Sequence, residues 1–170
     1  MKIIDNNFFN KPAIELAPLL LGKYLCVNVN GKVIKSVITE TEAYYGQEDT
    51  ACHSHKGKTN RTKVMWEDGG TIYVYLCYGI HYMFNIVCAG KSPQAVLIRG
   101  VLDAQGPGKL TKFFNIDKSI NGENIKTSLN VWLEDNKKRY KIKRDKRIGI
   151  NYASKKDRDA KLRFYIANTN

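Results

Sequence analysis

The dipeptide Asn30-Gly31 is the feature that most constrains how this 170-residue chain can fold. It follows residues 23–29, where polar and apolar residues alternate, and precedes residues 32–44, which we expect to be the return strand. Alternation with a period of two is typical of a half-buried β-strand, and Asn-Gly is the strongest short hairpin signal. The sequence therefore predicts an antiparallel hairpin.

Other segments also favour strands over helices. Residues 71–78 and 81–88 are rich in β-branched and aromatic residues and meet at Gly79, which predicts a second hairpin. Further strands are predicted from residues 95–102 and 162–167. Together these segments indicate a sheet that is mostly antiparallel.

The predicted helices are short. The first is expected to have Asn10 as its cap and to end at Gly22. Its apolar face would consist of Ile14, Leu16, Leu19 and Leu20. A second short helix is expected near residues 109–114, after Gly106, Pro107 and Gly108. Residues 45–70 are polar and irregular, which predicts a long loop with one short helix near residues 60–66.

These elements predict the fold class. We expect one α+β domain spanning residues 1–170, with a curved, mostly antiparallel sheet, a protruding hairpin and flanking short helices. The length is that of one ordinary domain, and 43% hydrophobic residues are enough to build a single core.

The charge is unevenly distributed. The chain has 28 basic and 16 acidic residues, a net charge of +12, and residues 137–163 alone contain 13 basic and three acidic residues. A clustered basic field is typical of a protein that binds a polyanion such as nucleic acid. The alternative is a lysine-rich surface that serves solubility.

The cysteines and the N-terminus indicate the compartment. Cys26, Cys52, Cys77 and Cys88 are far apart and form no CxxC pair, and we find no signal peptide or membrane-spanning segment. We therefore expect a cytoplasmic protein with reduced thiols, associated with the nucleoid if the cell is bacterial, and no membrane partner.

The acids of the return strand are candidates for catalysis. A period of two places Glu40, Glu42 and Tyr44 on one face of the strand. On an open face these residues would be ordinary surface groups. However, Glu42 lies where the strand enters the loop at Gly46, one loop away from His53, and there a carboxylate could take a proton from an attacking water.

The aromatic residues of the second hairpin have two interpretations. Tyr73 and Tyr75 share one face of their strand and are either half-buried core residues or platforms for stacking a flat ring. Tyr78 is beside Gly79 at the hairpin tip, where a large side chain has little core to join. A protruding aromatic can wedge between base pairs while an enzyme holds the flipped base in a pocket.

Several motifs, in order, then resemble one known family. They run from KPAIELAPLLLGKYL through ETEAYYGQEDTACH, GTIYVYLCYGIHYMFN, AVLIRG and GPGKL to RIGINYA and LRFYIAN. The chain is similar in these motifs to the alkyladenine DNA glycosylases, also called 3-methyladenine DNA glycosylases of the mammalian type. The resemblance implies a monomer that needs no cofactor or metal. It would hydrolyse the N-glycosidic bond of 3-methyladenine, 7-methylguanine, hypoxanthine or ethenoadenine in double-stranded DNA, leaving an abasic site for base excision repair.

The resemblance also implies roles for the chemical groups. Glu42 matches the catalytic glutamate that activates the water, without a covalent lysine intermediate. Arg99 matches an arginine that contacts the phosphate backbone or helps to hold this water. We further expect the basic segment, including Arg147, to lie along the DNA backbone together with Lys109.

The pocket residues match in the same way. Tyr44 and His53 match residues that stack on one face of the flipped base, and Tyr75 matches the residue on the other face. Asn85 matches the asparagine at the pocket floor that disfavours the exocyclic amine of guanine. Tyr78 matches the tyrosine that enters the duplex through the minor groove.

Two other classes of protein stay open at this point. One is a non-catalytic nucleic-acid-binding domain that uses the same aromatic and basic residues. The other is a metal-dependent nuclease or deaminase, whose possible ligands are Cys52, His53, His55, Glu48 and Asp49. The chain lacks the His-x-Glu and Pro-Cys-x-x-Cys motifs of the zinc deaminases.

Overall fold

The Asn30-Gly31 turn joins β1 (Tyr24–Val29) to β2 (Lys32–Tyr44) in the computed structural model, which describes residues 1–167. Both turn residues have positive φ, 52° for Asn30 and 82° for Gly31. A type I′ turn requires positive φ at both central positions, because its twist matches that of the flanking strands. The predicted first hairpin is confirmed.

The strands of residues 1–167 form one curled antiparallel sheet. Seven strands follow β2, namely β3 (Ile72–Cys77), β4 (His81–Cys88), β5 (Gln94–Val101), β6 (Ala104–Gln105), β7 (Val131–Glu134), β8 (Ile142–Asp145) and β9 (Arg163–Ile166). Hydrogen-bonded neighbours follow the order β3-β4-β5-β2-β1-β7, while β6 pairs with β5, and β9 pairs with β2 and β8. With the short helices described below, this sheet confirms the predicted α+β class.

The long strand β2 connects two parts of the sheet. Its first half pairs with β1 and its second half with β5, and the register shifts on both sides of Glu40. β-bulges of this kind bend a strand and change the direction of its side chains. Residues 40–42 also pair with β9, so Glu42 lies between two neighbouring strands.

The first helices are α1 (Asn6–Phe9) and α2 (Ala13–Leu20). The prediction that Asn10 caps the long helix is wrong, because Asn10 ends α1 and donates its N–H to the Asn6 carbonyl at 2.9 Å. The first N–H of α2 instead donates to the side-chain oxygen of Gln94, at 2.9 Å. A partner distant in sequence thus satisfies the helix end.

The buried face of α2 also differs from the prediction. Ile14 and Leu19 are each 43% exposed, whereas Ala13, Leu16, Ala17 and Leu20 are fully buried. These four residues have the i, i+3, i+4, i+7 spacing of one helix face. The two alanines allow close approach to the sheet, and the Thr41 hydroxyl on β2 donates to the Ala17 carbonyl at 2.9 Å.

The later helices are α3 (Pro107–Phe113) and α4 (Lys155–Asp159), and three single 3₁₀ turns occur at His53–Lys56, Lys63–Trp66 and Lys118–Ile120. The predicted helix near residues 109–114 and the short helix in the 45–70 loop are therefore confirmed. No helix in residues 1–167 combines the length and the apolar character needed to cross a membrane. Asn168 and the predicted domain limit at residue 170 lie outside the described residues.

The main core lies between α2, α3 and the sheet. Its largest fully buried side chains include Phe9, Leu16, Leu20, Ile38, Phe84, Ile86, Ile98, Leu110 and Phe114. Burial of apolar surface stabilises such a core by roughly 25 cal/mol per Å². A second, smaller cluster, which includes Met65 and Tyr73, lies beside the residues of the candidate site.

Candidate active site

The carboxylate of Glu42 is fully buried. The Ile148 N–H donates to its Oε1 at 2.8 Å, and the Tyr44 hydroxyl donates to its Oε2 at 2.7 Å. Arg99 on β5 places a guanidinium nitrogen 3.5 Å from Oε1. The alternative that Glu42 is an ordinary surface acid is therefore wrong.

Burial raises the pKa of Glu42, while Arg99 and the donors from Ile148 and Tyr44 act against this rise. Desolvation disfavours a charged carboxylate, and a nearby cation or hydrogen-bond donor favours it. A carboxyl group whose pKa is raised is a stronger base once it is ionised. Glu42 thus has the environment of a proton acceptor.

A pocket of aromatic side chains lies beside this carboxylate. It is lined by Tyr44, Ala51, Cys52, His53, Met65, Tyr73, Tyr75, Asn85, Ala95 and Tyr152. The structure therefore brings together all four predicted base-binding residues, and Tyr44 also links the pocket to Glu42 through its hydroxyl.

Little free space remains between the side chains of the pocket. The rings of His53 and Tyr75 contact each other with centroids 4.4 Å apart, and the Tyr73 hydroxyl lies 3.0 Å from His53 Nδ1. The free volume is about 30 Å³. That is room for water, which needs about 10–15 Å³ on this measure. A ring sandwiched between two others needs them about 7 Å apart, because each contact takes about 3.5 Å. A flat ring could stack between His53 and Tyr75 only after these two side chains separate.

The imidazole of His53 is neutral at physiological pH. Burial, together with the Arg61 cation, lowers the pKa of His53 to about 4. Arg61 also lies over the Tyr75 ring, with its guanidinium carbon 5.3 Å from the ring centroid. Arg61 was not predicted as a site residue, because a single arginine in a polar loop has no pattern that distinguishes it.

Asn85 on β4 lies opposite Tyr73 on β3. Its side-chain amide donates to the Tyr73 carbonyl at 3.1 Å, and the residue is 5% exposed. The backbone of the neighbouring strand thus fixes the direction of this carboxamide at the pocket wall.

Tyr152 is a pocket residue that the sequence analysis did not identify. Its hydroxyl donates to the Ala51 carbonyl at 2.8 Å, although 68% of the residue is exposed. The RIGINYA motif contains Tyr152 and was the only available signal, but nothing in the local spacing distinguishes this tyrosine from a surface residue.

Arg147 has a different position from the one predicted. Its side chain is fully buried, and it donates two hydrogen bonds to the buried Asp49 carboxylate, at 2.6 and 3.0 Å. It also donates to the Ala43 carbonyl at 3.0 Å and lies over the Tyr44 ring, 4.8 Å from the centroid. The predicted contact of Arg147 with the DNA backbone has no support in this arrangement, because Asp49 pairs with the guanidinium in the protein interior.

The segment after Arg147 holds the loop that carries His53. The Asp157 carboxylate accepts hydrogen bonds from the Tyr45 and Thr50 hydroxyls and from the Thr50 N–H. Partial burial raises the pKa of Asp157, but the hydrogen-bond donors outweigh this effect and hold the pKa well below its usual range. The two segments therefore form one polar framework under the pocket.

The tip of the second hairpin projects into solvent. Tyr78 is 91% exposed and adopts a positive φ of 51° next to Gly79, and Ile80 is 72% exposed. Lys109 is exposed on α3, next to Gly108, where an added Cβ would lie 2.8 Å from the His81 ring at the base of the tip. Of the basic side chains in residues 137–163, all except Arg147 and Arg163 are exposed.

Two of the side chains proposed for a metal alternative have other partners. Cys52 Sγ is 3.1 Å from the Ser54 hydroxyl, and His55 Nδ1 is 2.6 Å from the Gln47 carbonyl. Across residues 1–167, no three His, Cys, Asp or Glu side chains are grouped as a metal site would require.

Comparisons with known proteins agree with one another. The family model described as Methylpurine-DNA glycosylase (MPG) matches residues 7–170. A protein of Borrelia garinii subsp. bavariensis named "Putative 3-methyladenine DNA glycosylase" is 46% identical, and the match covers 96% of this chain and 95% of the relative. Proteins with the same name from Natranaerobius thermophilus and Clostridium perfringens are 39% and 37% identical, each covering 96% of this chain and 94% and 95% of the relative.

Proposed function

This chain belongs to the methylpurine-DNA glycosylase family, and from that premise we propose that it releases 3-methyladenine and related damaged purines from double-stranded DNA. The related lesions are 7-methylguanine, hypoxanthine and ethenoadenine. The observation that carries this proposal is the fully buried Glu42 carboxylate, held in place beside an aromatic pocket. We further propose that the chain is of the mammalian type, on the resemblance of motifs such as ETEAYYG.

Glu42 acts as a general base on a water molecule. Two donors, the Ile148 N–H and the Tyr44 hydroxyl, fix its carboxylate, so its remaining lone pairs can accept a proton from water. The water oxygen attacks the anomeric carbon of the deoxyribose, and its proton passes to Glu42. The bond between sugar and base breaks, and its electron pair leaves with the purine. Arg99, 3.5 Å from Glu42, helps to hold the carboxylate and the water.

The nucleophile is water rather than an amine. No lysine is among the pocket-lining residues within the described part of the chain. A lysine nucleophile would form a covalent Schiff base with the sugar. We therefore propose a monofunctional hydrolase that leaves an intact abasic site.

The pocket favours purines that carry positive charge. Such purines leave as neutral bases and need no protonation, and aromatic walls attract them by about 1 to 2 kcal/mol. Because the pKa of His53 is about 4, the imidazole is neutral and does not repel a cationic ring. Asn85, fixed at the pocket wall, disfavours the exocyclic amine of guanine by its bulk. 7-Methylguanine carries the same amine but is still released, because its cationic ring is a much better leaving group than normal guanine.

DNA is held by the hairpin tip and by exposed basic residues. Tyr78 enters the duplex through the minor groove and fills the place of the flipped nucleotide. Tyr44 and His53 then stack on one face of the base, and Tyr75 on the other, after the contact between His53 and Tyr75 opens. Lys109 and the exposed residues of the basic segment contact phosphates. The protein acts as a monomer in the cytoplasm, on the nucleoid of a bacterial cell.

Product analysis tests the reaction class. A duplex with one ethenoadenine or hypoxanthine, and separately methylated DNA, is incubated with wild type or Glu42→Gln, with and without EDTA, and with borohydride in a parallel sample. We expect free base and an abasic site from wild type only, and no covalent adduct with borohydride. Loss of product in EDTA would indicate a metal enzyme. Salt-sensitive DNA binding without any product would indicate a binding domain.

A further inference from the structure

A chain of alternating charges leads from the protein surface to Glu42. Asp145 on β8 is 3.6 Å from Arg163 on β9, and Arg163 is 2.9 Å from Glu40 on β2. Glu40 is 3.5 Å from Arg99, which is 3.5 Å from Glu42. These side chains come from four strands that pair in the sheet, so the sheet register creates the order of charges.

We propose that Glu40 and Arg163 are positioning residues for Glu42 and that they act through Arg99. This inference rests on the proposed role of Glu42 as the base. Glu40 is on the same strand as Glu42, two residues earlier, and the proposed reaction gives it no role of its own.

Arg99 forms ion pairs with two carboxylates, those of Glu40 and Glu42. Its distances to Glu40 and Glu42 are equal, and its buried Nε lacks a hydrogen-bond partner in the described residues. The side chain of Arg99 is 13% exposed and that of Glu40 is 17% exposed, so solvent screens them weakly. A guanidinium held by ion pairs alone moves toward whichever carboxylate carries the stronger uncompensated charge.

The other groups that face Glu42 cannot adjust in this way. They are the Tyr44 hydroxyl, the Ile148 N–H and Arg147, with Tyr75 and Tyr152 as more distant neighbours. Arg147 is occupied by the bidentate contact with Asp49. Arg99 is the cation that Glu42 shares with a second, partly exposed acid.

Arg163 fixes Glu40 from the far side. It donates to the Glu40 carboxylate at 2.9 Å and to the Lys146 carbonyl at 2.8 Å. Lys146 is two residues before Ile148, whose N–H donates to Glu42. While Arg163 neutralises Glu40, Arg99 can stay close to Glu42. Without Arg163, Glu40 draws Arg99 away.

The test is whether two opposite substitutions move the pKa of Glu42 in opposite directions. Glu40→Gln removes the competitor for Arg99 and lowers the pKa of Glu42, whereas Arg163→Gln leaves Glu40 unpaired and raises it. Each shift is expected to be about 0.5 to 1 pH unit, below the range of direct contacts because the effect is relayed. The pKa is measured by ¹³C NMR of carboxyl-labelled glutamate, with Glu42→Gln identifying the signal. Equal pKa values in all three proteins, or shifts in the same direction, would overturn the proposal.

Control variants separate the relay through Arg99 from direct charge effects and from unfolding. Asp145→Asn removes a half-exposed charge at the far end and is expected to shift the pKa by less than about 0.2 unit. In an Arg99→Lys background, Glu40→Gln should have less than half its effect, and an unchanged effect would refute the relay. Arg163→Lys keeps the charge and should restore the wild-type pKa. If Arg163→Gln does not fold, Glu40→Gln decides, because an unchanged or raised pKa there contradicts the proposal.

Activity distinguishes this inference from the proposed function. Release of 7-methylguanine needs the ionised base and no acid, so the acidic limb of its pH–rate profile should move with the pKa of Glu42. A wild-type protein that releases no base would refute the proposed function, and the NMR shifts would still decide the coupling. A wild-type protein that releases base, with identical NMR titrations in both variants, would refute only the coupling.

Discussion

Replacement of Arg147 by methionine should destabilise the protein strongly, because Arg147 and Asp49 form a fully buried ion pair. Removing one partner of such a pair costs about 3–5 kcal/mol, since the other charge is left buried without compensation. Asp49 would keep the N–H groups of Tyr45 and Ala51 as donors. We therefore expect the lower part of this range, about 3 kcal/mol, in the free energy of unfolding.

Lys146→Met is a matched control, because Lys146 precedes Arg147 and its ion pair with Asp159 is about half exposed on both sides. Exposed pairs contribute about 0–1 kcal/mol. The measurement is urea unfolding of both variants and wild type at pH 7, followed by circular dichroism. The reasoning is refuted if Arg147→Met loses no more stability than Lys146→Met. If Arg147 instead contacted phosphate, its loss would leave stability unchanged and reduce the salt dependence of DNA binding by about one phosphate contact.

Two further predictions concern the hairpin tip and the pocket. Tyr78→Ala should slow release of a base-paired lesion at least tenfold, while Ile80→Ala, at the same exposed tip, should have a smaller effect. The measurement is the single-turnover rate on a hypoxanthine duplex. Equal effects of the two substitutions would contradict the insertion of Tyr78. His53, whose pKa is about 4, contributes stability that is complete above about pH 6.5 and is lost as the pH falls from 6.5 toward 4. Between pH 7.5 and 5, wild type should therefore lose up to about 2 kcal/mol more than His53→Gln in urea unfolding, and parallel pH dependence of the two proteins would count against a buried neutral His53.

The elements that the sequence predicted have strong local signals. Asn30-Gly31 determines its own turn geometry, and the aromatic and β-branched residues around Gly79 favour strands wherever they are placed. By contrast, β8 contains only exposed residues and no apolar alternation, so its pairing with β9 cannot be inferred from its sequence. The prediction of the buried face of α2 was wrong because it favoured large residues over alanines. The contact of these alanines with the sheet depends on the three-dimensional packing.

In the candidate site, too, residues with a local sequence signal were predicted, and residues that depend on distant contacts were not. The position of Glu42 at the end of β2 indicated that it lies near the loop, and the alternation in β3 predicted that Tyr73 and Tyr75 share one face. The motifs contain four of the residues that line the pocket, Tyr44, His53, Tyr75 and Asn85. The roles of Arg147 and Tyr152 depend on contacts with Asp49 and Ala51, about 100 residues away in the chain. No local sequence pattern in a basic segment distinguishes a buried arginine from its exposed neighbours.

The most direct test of the central claim compares single-turnover release of 7-methylguanine by wild type, Glu42→Gln and Glu48→Gln. Glu48 is an exposed acid in the adjoining loop and serves as the control. General base catalysis contributes about 10² to 10⁴ in rate, so Glu42→Gln should be slower by at least about 100-fold while Glu48→Gln stays close to wild type. A Glu42→Gln rate within tenfold of wild type, with DNA binding intact, would contradict the assignment of Glu42 as the base that activates water.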